Sequence, residues 1–98
     1  MAMMEISVVP IGTGTPSLSA YVAGVVRVLE AAGLEYALGP MGTVVVGEVA
    51  QLLEVAQRMH KAPFAQGAVR VATTIKLDDR RDKALTMAGK VGAVQEKL

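Results

Sequence analysis

Apolar and polar positions alternate along this chain with two periods, and the switches between them divide its 98 residues into seven segments. Glu5–Ile11 is rich in β-branched side chains and runs into Gly12-Thr13-Gly14-Thr15-Pro16, a cluster of turn formers, which predicts a first strand and a loop. Leu18, Tyr21, Val22, Val25, Leu29 and Ala32 then recur at helical spacing, with Ser17 or Ser19 suited to cap the start and Gly33 to end it. Leu34, Tyr36 and Leu38 alternate with Glu35, Ala37 and Gly39, and Pro40 and Gly42 turn the chain into the apolar run Thr43–Val46. This is a hairpin whose second strand, apolar on both faces, belongs inside a sheet. Helical spacing returns in Val49, Leu52, Leu53, Ala56, Met59 and His60, closed by Pro63 and Gly67. Val69, Val71, Thr73, Ile75 and Leu77 form one face of a fourth strand, and Ala84, Leu85, Ala88, Val91, Val94 and Leu98 lie along a last helix. Between these two comes the charged run of residues 76–83, KLDDRRDK. Asp78 and Asp79 are expected to cap the last helix there, because a carboxylate accepts its free N–H groups and suits its positive end.

The order β-α-β-β-α-β, followed by a further α, predicts an α+β protein. Two split β-α-β units build a four-stranded antiparallel sheet with helices on one face. Strict alternation turns Ile6, Val8, Val45, Val71, Thr73 and Ile75 toward the helices and leaves Ser7, Val9, Val44, Val46, Glu48, Arg70, Thr74 and Lys76 on the open face. That face is half apolar, which predicts that it meets another subunit or a ligand.

Composition narrows the functions this fold can carry. A chain of this length with 52% hydrophobic residues is one domain, 1–98. A mean hydropathy of +0.42 on so small a body predicts apolar surface shared between subunits of a dimer or tetramer. A net charge of +1 supplies no field toward nucleic acid or membranes, and Tyr21, Tyr36 and Phe64 are too few to stack bases on a sheet. The expectation is no nucleic-acid partner and no membrane partner. With no cysteine there is no disulfide or thiolate chemistry. MAMMEIS shows no secretory signal, and the apolar patch Ala20–Val26, broken by Arg27, falls far short of the ~20 residues that span a bilayer. A soluble, cytoplasmic protein is expected.

Few side chains carry chemistry. Gly12-Thr13-Gly14 follows a strand but completes no phosphate-binding loop, and is expected to be a permissive turn. His60 stands on an apolar stripe with no second imidazole, and a metal site or a catalytic triad lacks its other members, so a packing or surface role is expected. Asp78, Asp79 and Asp82 each lie within a turn of Arg80, Arg81 or Lys83, whose charges hold carboxylate pKa values down rather than poise a general acid. Nothing here supports catalysis.

Three blocks resemble the thiamine-binding, YkoF-like family. Val9, Pro10, Gly12 and Ser19 match its VPxG and following serine; Pro40, Thr43, Gly47 and Glu48 match a Pro-x-x-Thr-x-x-Glu-Gly-Glu run; Arg70, Val71, Thr73, Ile75, Lys76, Asp78, Asp79, Arg80, Arg81 and Lys83 match R-V-x-T-x-I-K-x-D-D-R-R-x-K. The resemblance implies a ferredoxin-like sandwich, a homo-oligomer that is often a tetramer, and non-enzymatic binding of thiamine or a related heteroaromatic compound, with no other cofactor. It places Thr13, Ser19, Tyr21, Thr43, Glu48 and Arg70 around the ligand. Glu48 is then available to an amino group of the ligand or to Arg70 on a neighbouring strand. The acylphosphatases, enzymes of similar architecture, use an arginine in the first loop and an asparagine. Residues 12–17 hold no arginine and the chain has no asparagine. Val46 stands where the family run has its first glutamate, a partner for a thiazolium or an aminopyrimidine, so weak thiamine binding, tightened by Val46→Glu, is the expectation. The competing function is an oligomeric regulatory or scaffold module without a small ligand.

Overall fold

The computed structural model describes all 98 residues. Strand β1 (Ala2–Pro10) leads into helix α1 (Ser19–Ala32), the hairpin β2 (Glu35–Leu38) and β3 (Thr43–Gly47), helix α2 (Val49–Ala65), strand β4 (Val71–Asp79) and helix α3 (Met87–Gln95). The strands lie in the order β2-β3-β1-β4, all antiparallel. This is the ferredoxin-like sandwich expected from the element order.

β1 is the axis of the sheet and begins earlier than its β-branched run suggested. Ala2 already pairs with Gly47 on one side and Asp79 on the other. Met3 and Met4 are buried with it. Register puts Ala2, Met4, Ile6 and Val8 on the helix face, where they pack with Val25 and Leu29 of α1, Val45 of β3 and Leu52, Val55, Ala56 and Met59 of α2. Ile75 and Thr73 stand opposite Ile6 and Val8, so the helix-facing set read from alternation holds. His60, as expected of a packing residue, is half-buried. Its Nδ1 lies 2.7 Å from Thr73 Oγ1 and its ring meets Phe64 edge-on at 5.7 Å.

Helix boundaries follow backbone geometry more than side-chain caps. Gly33 ends α1 at φ +69°, its N–H donating to the Glu30 carbonyl. At the start of α1, Leu18 holds the cap position and neither Ser17 nor Ser19 caps it. Pro63, expected to close α2, lies inside its last turn, where its carbonyl accepts from the N–H groups of Gln66 and Ala68.

The charged junction departs most from expectation. Asp78 and Asp79 do not cap a helix; they are the last rungs of β4, opposite Met3 and Ala2. A strand running the full length of β1 keeps its β1-facing backbone groups paired to the end, and that outweighs the capping preference of two aspartates. The cap of α3 is Thr86, whose Oγ1 accepts from the Gly89 N–H at 2.9 Å. Ala84 and Leu85 belong to the preceding loop. Leu85 is buried against Met3 and Val46, and Met87 packs on the same cluster, so the chain after β4 crosses the sheet face expected to be open. Lys90 Nζ reaches Asp78 there at 2.5 Å. Glu48 and Arg70, counted on that face by alternation, lie just outside the strands.

Because α3 buries no residue of its own, its cap should matter locally. Thr86→Ala is expected to cost α3 ~1 kcal/mol, read as faster amide exchange over residues 87–95, whereas Asp79→Ala leaves that exchange unchanged.

Candidate ligand-binding site

The two neighbours of β1 differ in length. β4 accompanies it from Ala2 to Pro10, but β3 stops opposite Ile6, where the chain turns away through Gly39–Gly42. The turn lies tight on β1: a Cβ on Gly42 would come within 3.2 Å of the Ile6 carbonyl oxygen. Beyond Ile6 the space a longer β3 would fill is a cavity of about 310 Å³, near the lower end of the ~300–1,000 Å³ usual for small-molecule sites. Ile6 and Val8 floor it, Leu18 at the cap of α1, Val22 and Val25 of α1 and Met59 of α2 wall it, and Leu38 and Met41 form an exposed rim.

Its polar groups are few and fixed. The Ile11 N–H donates to the Arg70 carbonyl at 2.8 Å, so Ile11 points toward β4 and, by alternation, Val8 points the other way. Ile6, two residues earlier, spends its N–H and C=O on Thr43; Val8 has no strand opposite. A donor and an acceptor on one residue therefore face the cavity side by side. The Thr43 hydroxyl, on a residue 5% exposed, and Ser7 complete the lining, and no charged side chain contributes to it.

The residues expected around a ligand are dispersed. Thr43 lines the cavity. Ser19, with Val22 and Leu38, borders a shallower groove on the outer side of α1. Thr13 sits in the β1–α1 loop, its hydroxyl donating to the Thr15 carbonyl, and Tyr21 is half-exposed on α1 outside the lining. Arg70 precedes β4, where its carbonyl holds Ile11. Glu48 is at the far end of β3 from Thr43, about 16 Å away at ~3.3 Å per residue, and its backbone N–H donates to Gln51 Oε1 at the start of α2. With β1 between β3 and β4, and with Glu48 and Arg70 at opposite ends of the sheet, these two do not pair. Val46 is on the other sheet face, buried against Met3 and Leu85, so a glutamate there would not reach the cavity. The part missed from sequence is the Val8 peptide with the Leu18, Val22 and Met59 walls. Its only trace in the sequence is a hairpin turn placed too early for β3 to match β1.

A second, wider cavity of about 700 Å³ lies between Met1, the start of α2 with Glu48, and residues 79–84. Its charges neutralise one another. Arg80 holds Asp82 through two contacts of 2.5 and 2.8 Å, and Arg81 holds Asp79 at 3.0 Å. The Arg80 hydrogen bond depresses the Asp82 carboxyl to about 2, against a weaker opposing effect of desolvation. This is the direction expected of carboxylates set among arginines, and the opposite of a poised acid.

The model of the thiamine-binding protein family matches residues 4–95. The chain belongs to that family. UPF0045 protein YqgV of Bacillus subtilis is 48% identical over the whole of this chain and 98% of its own length, and a UPF0045 protein of Staphylococcus xylosus is 42% identical over the whole chain and 95% of its own. A solved protein of Methanocaldococcus jannaschii superimposes with a TM-score of 0.87 at 29% identity, covering 97% of this chain and 96% of that one. This is a thiamine-binding family and not a known enzyme family. No helix of this member is long and apolar enough to cross a membrane.

Two outcomes follow from the geometry. Val46→Glu should not create a ligand contact but bury a carboxylate between Met3 and Leu85, lowering stability by roughly 2–4 kcal/mol in denaturant unfolding. Asp82, followed by carboxyl NMR, should titrate with a midpoint near 2 and move up in Arg80→Gln. Because the folded pKa is the depressed one, the Arg80–Asp82 contact contributes in full above the ordinary carboxylate range and is lost as pH falls through about 2.

Proposed function

We propose that this protein is a non-enzymatic binder of thiamine or a related aminopyrimidine compound, held in the cavity where β1 outruns β3, and that it works as a homo-oligomer. The observation that carries the reading is the Val8 peptide, an unpaired donor and acceptor on the wall of an apolar cavity in a thiamine-binding family member. A 4-aminopyrimidine edge presents a ring nitrogen that accepts and an amino group that donates, complementary to that pair, while its flat ring suits walls of Leu18, Val22 and Met59. The thiazolium is a different matter. With no carboxylate in the lining, a buried cation would be uncompensated, so it stays in water at the rim by Met41. Thr43 supplies a hydroxyl inside; Ser19 lies at the outer margin, and Thr13, Tyr21, Glu48 and Arg70 take no direct part.

Self-association is favoured by apolar surface left bare: Val91 and Val94 on α3 are 56% and 61% exposed, and Ile75 and Leu77 of β4 are 44% and 41% exposed. The same surface would serve a scaffold without a ligand, and thermal unfolding separates the two functions. At 100 times its dissociation constant a ligand adds about 2.7 kcal/mol, a rise of several degrees in Tm. Thiamine and its isolated aminopyrimidine half should both raise Tm, the isolated thiazolium half should not, and Val22→Trp, which fills the cavity from a partly exposed position, should abolish the rise. Absence of any rise with all three compounds would leave the scaffold as the function.

A further inference from the structure

We infer that two copies of this chain join through their β4 strands, antiparallel and centred on Thr74, so that the sheet runs on through the seam and Arg70 of each copy faces Asp78 of the other. This names the surface of the self-association proposed above and is independent of the ligand, whose cavity opens on the other side of β1.

β4 is an edge strand whose charged side chains, Lys76, Asp78 and Asp79, all lie in its second half. Val71–Asp79 contains no proline or glycine and pairs with β1 one-to-one over nine positions, without a bulge. Since Arg70 points its carbonyl at β1, alternation aims the N–H and C=O groups of Val71, Thr73, Ile75 and Leu77 outward, where no strand lies. An apolar stripe runs beside that edge. His60 reaches Thr73 from α2, which shows that the His60 side of the helix overlooks β4. Leu53 and Phe64 lie on that side, 51% and 43% exposed, next to the bare Ile75 and Leu77.

Among registers that pair most of the strand, charge favours one for a second copy on this edge. Side chains directly opposite each other share a sheet face. Only registers that set residues of like parity opposite one another therefore bring helix layer beside helix layer. Among those, centring on Thr73 sets Arg70 against Lys76, and centring on Lys76 sets that lysine against its own copy. Centring on Ile75 sets Val71 against Asp79 on the apolar side and Arg70 against Arg80 on the other. Centring on Thr74 places Val71 opposite Leu77 and Thr73 opposite Ile75 on the helix side. On the far side it places Arg70 opposite Asp78 and Ala72 opposite Lys76. It also joins the outward peptide groups of Val71, Thr73, Ile75 and Leu77 to those of the other copy. Arg70 has no ion pair within its own chain, and Asp78, held at one side by Lys90, is half-exposed.

The absence of cysteine makes the register directly testable. Thr74 facing its own copy would be a non-hydrogen-bonded pair, with Cα atoms about 4.5 Å apart, within disulfide range. Thr74→Cys should therefore form a covalent dimer on mild oxidation, and Ile75→Cys should not. In light scattering, Arg70→Glu should weaken the dimer at least tenfold, and Arg70→Glu with Asp78→Lys should restore it. A dimer by light scattering in which Thr74→Cys fails to cross-link overturns the β4 seam and leaves self-association standing. A monomer at micromolar concentration overturns both. Neither result bears on the Tm response to thiamine, which tests the cavity alone.

Discussion

The two-sided pairing of β1 is the constraint on which the rest of this protein depends. Its nine residues give backbone partners to β4 along their whole length and to β3 along five, so the strand is at once the spine of the core and the origin of an asymmetry. Each face of the spine carries its own apolar cluster. Met4 and Ile6 lie under α1 and α2, and Met3 lies with Val46 under Leu85. Helix packing supplies the larger of the two, and a loop supplies the other. Because both clusters are anchored on one strand, neither forms without the ladder that fixes which side chains point which way.

The unequal neighbours of β1 have two consequences. Toward β3 the ladder ends early and leaves a peptide donor and acceptor on the wall of a mainly apolar, uncharged cavity, where they are available to a planar heteroaromatic edge. Toward β4 the ladder is complete, and its outer rungs in turn lack a partner. Unspent backbone pairing capacity thus accounts for both the proposed ligand site and the proposed subunit seam. The charged loop after β4, by contrast, is spent on itself: Arg80 with Asp82 and Arg81 with Asp79 cancel what would otherwise be a basic patch near the start of α2.

Much of this fold was legible in the sequence, because the periods of two and 3.6 and the glycine and proline punctuation are local signals. They determined the element order, the helix-facing set Ile6, Val8, Val45, Val71, Thr73 and Ile75, the αL end of α1 at Gly33 and the packing role of His60. The blocks at residues 9–19, 40–48 and 70–83 were enough to point to the family. What only the tertiary structure decided was whatever depends on a partner distant in sequence. Asp78 and Asp79 are strand because β1 reaches back to Ala2 to meet them, whatever their local liking for a helix cap. Val46 is buried on the face away from the cavity because a loop forty residues later lays Leu85 over it. Arg70 and Glu48 stand at opposite ends because β3 and β4, both antiparallel to β1, run the same way, and Glu48 follows its strand while Arg70 precedes its own. The cavity itself is a difference between two strand lengths measured against a third, and no window along the chain contains all three.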